Sequence, residues 1–307
     1  MKPFRFAVQA SNTLSAKEWK NLARKVESLG YSTLFIPDHF GDQLSPLVGL
    51  TVAAESTSKL KVGSLVFDND YRHPLVLARE IATLDNLCDG RVEFGIGAGW
   101  MTSDYSESGI PLESPKIRVD KLSEAVDIFL ELFETGKSSF KGKYYNLTDA
   151  QCFPVVSTKP HPKLLIGGGS PKVLQLAATK ADIVGINASL KAGAIGAEMM
   201  KEISPEKFDQ RYRWVKDFAK DRINEIEVQC LTFFVQITES GKEARENLAK
   251  MFSIDSEMAG EIPLALVGSK NEIKEMLQKR RERWGFSYVV VHEPEMEQFA
   301  EIVAELL

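Results

Sequence analysis

The stretch LKVGSLVFDNDYRHPLVLAREIATLDNLCDGRVEFGIGAGW, residues 60–100, contains the pattern that decides the fold. Residues 60–67 and 91–96 are short runs rich in apolar and β-branched side chains, which is typical of strands buried on both faces. Residues 74–87 carry apolar side chains three and four positions apart and open with a proline, which predicts an amphipathic helix. This order predicts two parallel strands joined by a helical crossover.

The same alternation extends along the whole sequence. We predict strands at residues 4–9, 33–37, 60–67, 91–96, 164–167, 183–187, 227–237 and 287–292. Helices are predicted at residues 15–30, 46–57, 74–87 and 116–133, from residue 171, and at 205–220, 241–252, 270–284 and 295–307. Eight strands, each followed by a helix, favour a (β/α)8 TIM barrel over an open doubly wound sheet. The turn Ala10-Ser11-Asn12 also lacks the GxGxxG pattern of the open dinucleotide-binding sheet.

The alternation pauses at residues 136–162, which combine glycines and prolines with several aromatic residues. Because this segment has aromatic side chains to bury, we interpret it as a loop or hairpin inserted at the C-terminal face of the barrel. A chain of 307 residues is within the range of one α/β barrel with insertions. We therefore expect residues 1–307 to form a single domain.

Composition and charge exclude several classes of partner. The 38 basic and 43 acidic residues are spread along the chain and give a net charge of -5, so neither nucleic acid nor an anionic membrane is expected to bind. Cys88, Cys152 and Cys230 are scattered and fit no disulfide framework or zinc pattern. The N-terminal residues lack the apolar stretch of a signal peptide, and no long apolar run predicts a membrane span. We expect a cytosolic protein.

A glycine-rich turn follows the predicted strand at residues 164–167. Gly167, Gly168 and Gly169 would let the backbone approach a ligand closely and take positive φ, and Ser170 and Pro171 are typical of the start of a helix. Backbone amides and the helix dipole would then converge on an anion such as a phosphate. A tight strand-to-helix turn with nothing bound is the alternative interpretation.

Two other strand ends carry candidate site residues. The small residues Gly97, Ala98 and Gly99 leave room for a flat ring or a sugar phosphate, although they could equally serve helix packing. Asp38 and His39 are a candidate proton-transfer pair, in which an adjacent acid would fix the imidazole tautomer. The alternative is that Asp38 caps backbone amides and His39 is an ordinary loop residue.

Other catalytic patterns are missing from the sequence. It has no HxH or HExxH arrangement for a metal, no GxSxG nucleophile elbow, and no lysine near the C-terminal strand ends for a Schiff base. Few polar groups remain for acid–base chemistry by the protein alone. A bound cofactor that carries the difficult step would explain this composition.

These motifs resemble the luciferase-like monooxygenase superfamily, and in particular its coenzyme F420-dependent oxidoreductases of mycobacterial type. The similarity lies in His-Pro opening the helix at residue 73, Ala-Thr-Leu-Asp within it, Gly-Arg before the next strand, and Gly-x-Gly-Ala-Gly-Trp ending that strand. Further similar positions are Asp38-His39, Tyr144-Tyr145, Gly167–Ser170, and the segments 267–268 and 285–291. The resemblance therefore covers nearly the whole chain.

The resemblance implies a dimeric barrel with F420 or, alternatively, FMN in its mouth. The ring would rest on a bulge after the third strand with a cis peptide between Leu65 and Val66, and Asp38 and His39 would lie near its reactive face. The expected cofactor-binding residues are Leu65, Val66, Phe67, Gly97, Ala98, Gly99, Gly168, Gly169, Ser170 and Asn187, with the phosphate at Gly168–Ser170.

The sequence also departs from parts of the family. The F420-dependent sugar-phosphate dehydrogenases have a glutamate where this chain has Trp100, and a tryptophan where it has Gly41-Asp42-Gln43, so glucose-6-phosphate oxidation is not expected. Phe40 stands where bacterial luciferase has an additional histidine, so light emission is not expected either. Trp100 would form an aromatic wall of the substrate pocket, with residues 100–115, 136–162 and 253–263 lining the rest.

Four functions remain open at this point. The first is F420-dependent hydride transfer to or from a small organic substrate. The second is an FMN-dependent monooxygenase supplied with reduced flavin by a partner reductase. A barrel that binds flavin without catalysis and a cofactor-free, phosphate-binding lyase or isomerase are the others.

Overall fold

Short parallel strands form a closed barrel. The computed structural model describes residues 1–189, 201–252 and 256–307. Its strands are β1 Arg5–Gln9, β2 Thr33–Ile36, β3 Lys61–Ser64, β4 Phe67–Asp68, β5 Val92–Gly97, β6 Lys137–Ser138, β7 Ala150–Gln151, β8 Lys163–Gly168, β9 Ile183–Ile186, β10 Glu227–Leu231, β11 Phe234–Ile237, β12 Ala265–Gly268 and β13 Phe286–His292. The order around the barrel is β3, β2, β1, β13, β10, β9, β8 and β5, and the pairing of β3 with β5 closes it. The predicted (β/α)8 barrel is confirmed.

Helices surround the barrel and alternate with its strands. They are α1 Ala16–Ser28, α2 Pro46–Glu55, α3 Pro74–Leu87, α4 Thr102–Ser108, α5 Pro115–Thr135, α6 Pro171–Lys180, α7 Pro205–Ala219, α8 Gly241–Phe252, α9 Ser256–Glu261, α10 Lys270–Trp284 and α11 Met296–Leu306, with 3₁₀ turns at Lys220–Asn224 and Glu293–Glu295. Helix α1 begins with a capping box: the Ser15 side chain accepts from the amide of Glu18, whose carboxylate accepts from the amide of Ser15. Gly30, with φ of 85°, follows the end of this helix.

The N-terminal end of the barrel interior is filled by a buried ionic group. Glu93 of β5 is fully buried, pairs with Arg5 and Lys61, and accepts a hydrogen bond from the Tyr288 hydroxyl at 2.8 Å. The Arg5 guanidinium lies over the Tyr288 ring, 3.6 Å from its centroid. Paired charges and apolar neighbours such as Phe35 fill this end of the barrel interior.

Two of the predicted strands are each divided in the structure. The strand predicted at residues 60–67 is interrupted after Ser64 and resumes as β4, which pairs only with β5. The strand predicted at residues 227–237 leaves the barrel after Leu231, and its second half, β11, pairs with β12 outside the barrel. At this exit the amide of Thr232 still donates to Val290, whereas that of Phe233 donates to Leu264. The residues before and after each interruption are similarly apolar. The hydrophobic pattern of the sequence therefore could not show where a strand changes its pairing partner.

The segment predicted as an insertion contains a short antiparallel pair, β6 with β7, and an isolated bridge between Lys141 and Asn146. It packs against the barrel through Tyr145, whose hydroxyl accepts a hydrogen bond from the Asn69 side chain at 3.2 Å. Over the part of the chain that is described, no helix has the length and apolar character needed to cross a lipid bilayer.

Candidate functional site

A cavity of about 590 Å³ opens at the C-terminal ends of the barrel strands. This volume is in the range of small-molecule sites. All of the residues that the sequence predicted for the site line it: Asp38, His39, Leu65, Val66, Phe67, Gly97, Ala98, Gly99, Trp100, Gly168, Gly169, Ser170 and Asn187. The barrel brings them together because every parallel strand delivers the loop that follows it to the same end.

One wall of the cavity is the chain between β3 and β4. The peptide bond between Leu65 and Val66 is cis, as the resemblance implied. The Gln9 side chain donates a hydrogen bond of 2.8 Å to the Leu65 carbonyl and holds this wall from β1. A Cβ atom added at Gly97 would lie 2.7 Å from a methyl of Val66, so glycine at this position lets the wall approach β5.

The glycine-rich turn after β8 is built by close packing rather than by positive φ. A Cβ atom at Gly169 would lie 2.5 Å from the carbonyl oxygen of Asn187, and one at Gly168 would lie 2.5 Å from a methyl of Val173. None of the turn glycines has positive φ, so that part of the expectation is wrong. The Arg211 Nε donates to the carbonyl of Gly169 at 3.1 Å and fixes the turn from α7.

Ser170 occupies the N-cap position of α6, but its side chain makes no capping hydrogen bond. The predicted position is therefore correct, and the expected side-chain cap is absent. Pro171 follows at the first helical position. The amides of the first turn of α6 have no partner within the helix, and the Ser170 hydroxyl lines the cavity beside them. This end of the cavity offers hydrogen-bond donors and a positive helix dipole to an anion.

His39 is held by a carboxylate from a distant part of the chain. Its Nδ1 lies 2.6 Å from the Asp104 carboxylate, which is almost fully buried on α4. The same carboxylate accepts a hydrogen bond of 3.0 Å from the Tyr71 hydroxyl. Because a carboxylate accepts, Nδ1 carries a hydrogen, and Nε2 is the ring nitrogen left to a ligand. The Trp100 ring packs edge-on against the imidazole, with the ring centroids 5.7 Å apart.

The predicted pairing of Asp38 with His39 is wrong. The Asp38 carboxylate is bound by both terminal nitrogens of Arg72, at 2.5 and 3.1 Å, and accepts from the amide of Asp68 at 3.1 Å. Neighbours in sequence at the end of a strand point in different directions, so Asp38 ties the loop after β2 to β4 instead. Asp38 also lines the cavity, but Asp104 is the residue that orients the His39 imidazole.

Replacing Asp104 by asparagine is expected to lower kcat by about tenfold to 100-fold with little change in cofactor affinity. The donors of His39 and Tyr71 converge on one oxygen of this carboxylate, and an amide would replace this charged acceptor by a weaker, neutral one. Steady-state kinetics and cofactor titration measure the two quantities. Asp120→Asn is the matched control, since its carboxylate pairs with Lys116 on the surface of α5. A full-rate Asp104→Asn enzyme would contradict the assignment.

Asp68 is a buried carboxyl at the rim of the cavity. Burial raises its pKa to about 7, and the charges of Asp70 and Asp38 act in the same direction. Hydrogen bonds from the Asp70 amide and the Tyr105 hydroxyl oppose this rise only in part. Protonation of Asp68 therefore favours the folded state. Its contribution to the free energy of unfolding is complete below pH about 4 and is lost as the pH rises through about 7.

Asp68→Asn is expected to change the pH dependence of stability. The amide stays neutral, so the difference in melting temperature between variant and wild type should grow in favour of the variant by about 2–5 °C between pH 5 and pH 8. Thermal unfolding at both values measures it. Asp209→Asn is the control. The Arg283 hydrogen bond lowers the pKa of the native Asp209 carboxyl, which is therefore ionised at both pH values. The difference in melting temperature between this variant and the wild type should then be the same at pH 5 and pH 8. A constant difference for Asp68→Asn would contradict the prediction.

The sequence-based reasoning missed several residues that build the site, among them Asp104, Arg72, Asp68 and Gln229. Asp104 lies on α4, which was not predicted because TSDYSES has no apolar periodicity. Of the segments expected to line the substrate pocket, residues 100–115 do so, whereas residues 136–162 contribute no lining residue. Residues 253–255 lie outside the described residues, and the described remainder, 256–263, does not line the cavity.

These observations define a (β/α)8 barrel with a cavity at its C-terminal mouth, which is lined by a glycine-rich turn before α6 and by a histidine that a buried carboxylate orients. Within residues 1–189, 201–252 and 256–307, no group of His, Cys, Asp and Glu side chains is arranged to hold a metal ion. The profile of the luciferase-like monooxygenase family matches residues 1–288. The chain belongs to this family.

The similar curated proteins bear the names of different reactions. The F420-dependent glucose-6-phosphate dehydrogenase of Amycolatopsis mediterranei (strain U-32) is 30% identical over 168 residues, which cover 52% of this chain and 50% of the relative. Pyrimidine monooxygenase RutA of Caulobacter segnis is 32% identical over 163 residues, which cover 52% of this chain and 43% of that protein. The chain thus spans about half the length of the curated relatives it matches.

Among solved structures, the coenzyme F420-dependent tetrahydromethanopterin reductase from Methanopyrus kandleri superposes with a TM-score of 0.78 at 21% identity. The similarity covers 100% of this chain and 99% of the reductase. At this level of identity, the comparison shows a shared fold.

Proposed function

We propose that this protein is an F420-dependent oxidoreductase that transfers hydride to or from a small organic substrate. One observation carries the proposal: the wall at Leu65–Phe67, the glycine-rich turn and His39 all face one cavity. One relative bears the name of an F420-dependent dehydrogenase and another that of a monooxygenase, and both names support a redox reaction.

The residues of the cavity fit a flat, phosphate-bearing cofactor. Glycines at positions 97 and 167 leave a smooth surface beside Val66, where side chains would otherwise fill the space. The first-turn amides of α6 and the Ser170 hydroxyl would hold the phosphate. The remaining predicted contacts, Phe67, Ala98, Gly99 and Asn187, lie on the same cavity surface.

Deazaflavin cofactors carry hydride and react poorly with oxygen, so the bound group would supply the redox step. The protein would supply a proton relay, since His39 presents Nε2 to the cavity and Asp104 keeps its imidazole in one orientation. Trp100 would press against both the imidazole and the substrate and exclude water from them. The Arg72 pair of Asp38 would keep the loop that bears His39 in place.

FMN is the alternative cofactor, in a monooxygenase that receives reduced flavin from a partner reductase. The relative named pyrimidine monooxygenase supports this alternative. Fluorescence titration of the purified protein with F420 and with FMN separates the two proposals. Retention of F420 alone supports hydride transfer, retention of FMN alone supports the monooxygenase, and binding of neither would overturn both in favour of a cofactor-free lyase or isomerase.

We propose in addition that the protein works as a cytosolic homodimer, as its resemblance to the family implies. The exposed Val48 of α2 and Val76 of α3 are apolar side chains that an interface between copies would cover.

A further inference from the structure

A glutamine on β10 lies at the floor of the cavity, and the nitrogen of its side-chain amide makes no hydrogen bond to the described residues. Gln229 is only 2% exposed and lines the cavity. Its Nε2 has no hydrogen-bond partner in the described part of the chain. Buried amide nitrogens are rarely left without an acceptor, because removing them from water without a new hydrogen bond is unfavourable.

The floor around this amide is made of glycine. Gly185 of β9 pairs with Gln229 in the sheet register, and Gly167 of β8 pairs with Gly185. A Cβ atom at Gly185 would lie 2.8 Å from the Gln229 Oε1 and 3.2 Å from the Gly167 Cα. The amide therefore lies against a flat surface of backbone, and any side chain at position 185 would displace it.

A second buried glutamine shows what a structural role looks like in the same cavity. Gln9 is 6% exposed on β1, and its Nε2 donates to the Leu65 carbonyl at 2.8 Å. The described part of the chain provides an acceptor for the Nε2 of Gln9 and none for the Nε2 of Gln229. The two amides thus differ: the donor of Gln9 supports the wall, and the donor of Gln229 has no acceptor among the described residues.

We propose that Gln229 is a ligand-recognition residue, whose Nε2 donates a hydrogen bond to a carbonyl oxygen on the edge of the flat heterocycle bound in this cavity. The inference rests on the proposed function and deepens it, since it states which part of the ring reaches the barrel floor. A ring carbonyl supplies the acceptor that the Nε2 lacks, and Gln229 lines the cavity together with Gly167 and Gly185.

The test is the variant Gln229→Leu, which keeps a similar volume and removes the donor. Affinity for F420 or FMN, whichever the wild type binds, should fall about tenfold, the usual effect of one buried hydrogen bond. The melting temperature of the ligand-free protein should stay the same or rise, because an unsatisfied buried donor is gone. Fluorescence titration and thermal unfolding are the two readouts.

Gln9→Leu is the matched control. The substitution removes the amide that donates to the Leu65 carbonyl, so the ligand-free variant should melt at a lower temperature than the wild type. Undiminished affinity of Gln229→Leu, or a loss of stability as large as that of Gln9→Leu, would overturn the inference while leaving the proposed function intact. Failure of the wild type to bind either cofactor would overturn the proposed function, and this inference with it.

Discussion

His39→Ala is expected to lower kcat by about 10²–10⁴-fold while cofactor affinity stays within about twofold. The substitution removes the ring nitrogen that the cavity presents to substrate, and the wall and glycine-rich turn that would hold the cofactor are untouched. The measurement combines turnover of a small organic substrate, found by screening the wild type, with titration of F420 and FMN.

The control for this variant is His161→Gln. His161 lies in the segment after β7, where its Nδ1 contacts the Pro162 carbonyl, and it does not line the cavity. Turnover by His161→Gln should equal that of the wild type. Unchanged turnover in His39→Ala would remove His39 from the mechanism, and a wild type that binds cofactor without any turnover would favour a barrel that only stores or senses it.

Gly167→Val is expected to weaken cofactor binding by about tenfold to 100-fold without destabilising the ligand-free protein. A Cβ atom at this position would touch only a methyl of Val66, at 3.7 Å, which is an ordinary contact distance. The added methyl groups would occupy cavity space where the flat ring is proposed to lie, and valine suits a strand. Titration with F420 and FMN and the melting temperature of the apoprotein give the two measurements.

Gly95→Ala provides the contrast, since its Cβ atom would lie 2.0 Å from the Ser64 carbonyl oxygen, inside the barrel wall. That variant should lose stability because backbone atoms must move. If Gly167→Val bound cofactor as tightly as the wild type, the ring could not lie against β8, and the proposed placement would fail.

Much of the site was predictable because a parallel barrel brings strand ends together. The sequence places Gly97, Ala98 and Gly99 after one strand and Gly168, Gly169 and Ser170 after another, and all of them line the same cavity. Local features are equally readable from sequence, as the capping box at Ser15 shows. These predictions need only residue types, local spacing and the rule that chemistry collects at the strand ends.

The acid partner of His39 could not be predicted in this way. Asp104 is 65 positions away along the chain, and Asp38 is adjacent, yet the imidazole bonds to Asp104. Which of two carboxylates reaches a side chain depends on the direction of each Cβ atom, and here Arg72 occupies Asp38.

The sequence by itself determined the number of barrel strands, the alternation of strand and helix, and the glycine-rich strand ends at the mouth, since these follow from periodicity and local backbone preference. The tertiary structure alone decided that Asp104 holds His39, that β11 leaves the barrel, and that the Nε2 of Gln229 has no partner among the described residues. Each of these depends on atoms far apart in the chain meeting within hydrogen-bond distance, which only three-dimensional packing specifies.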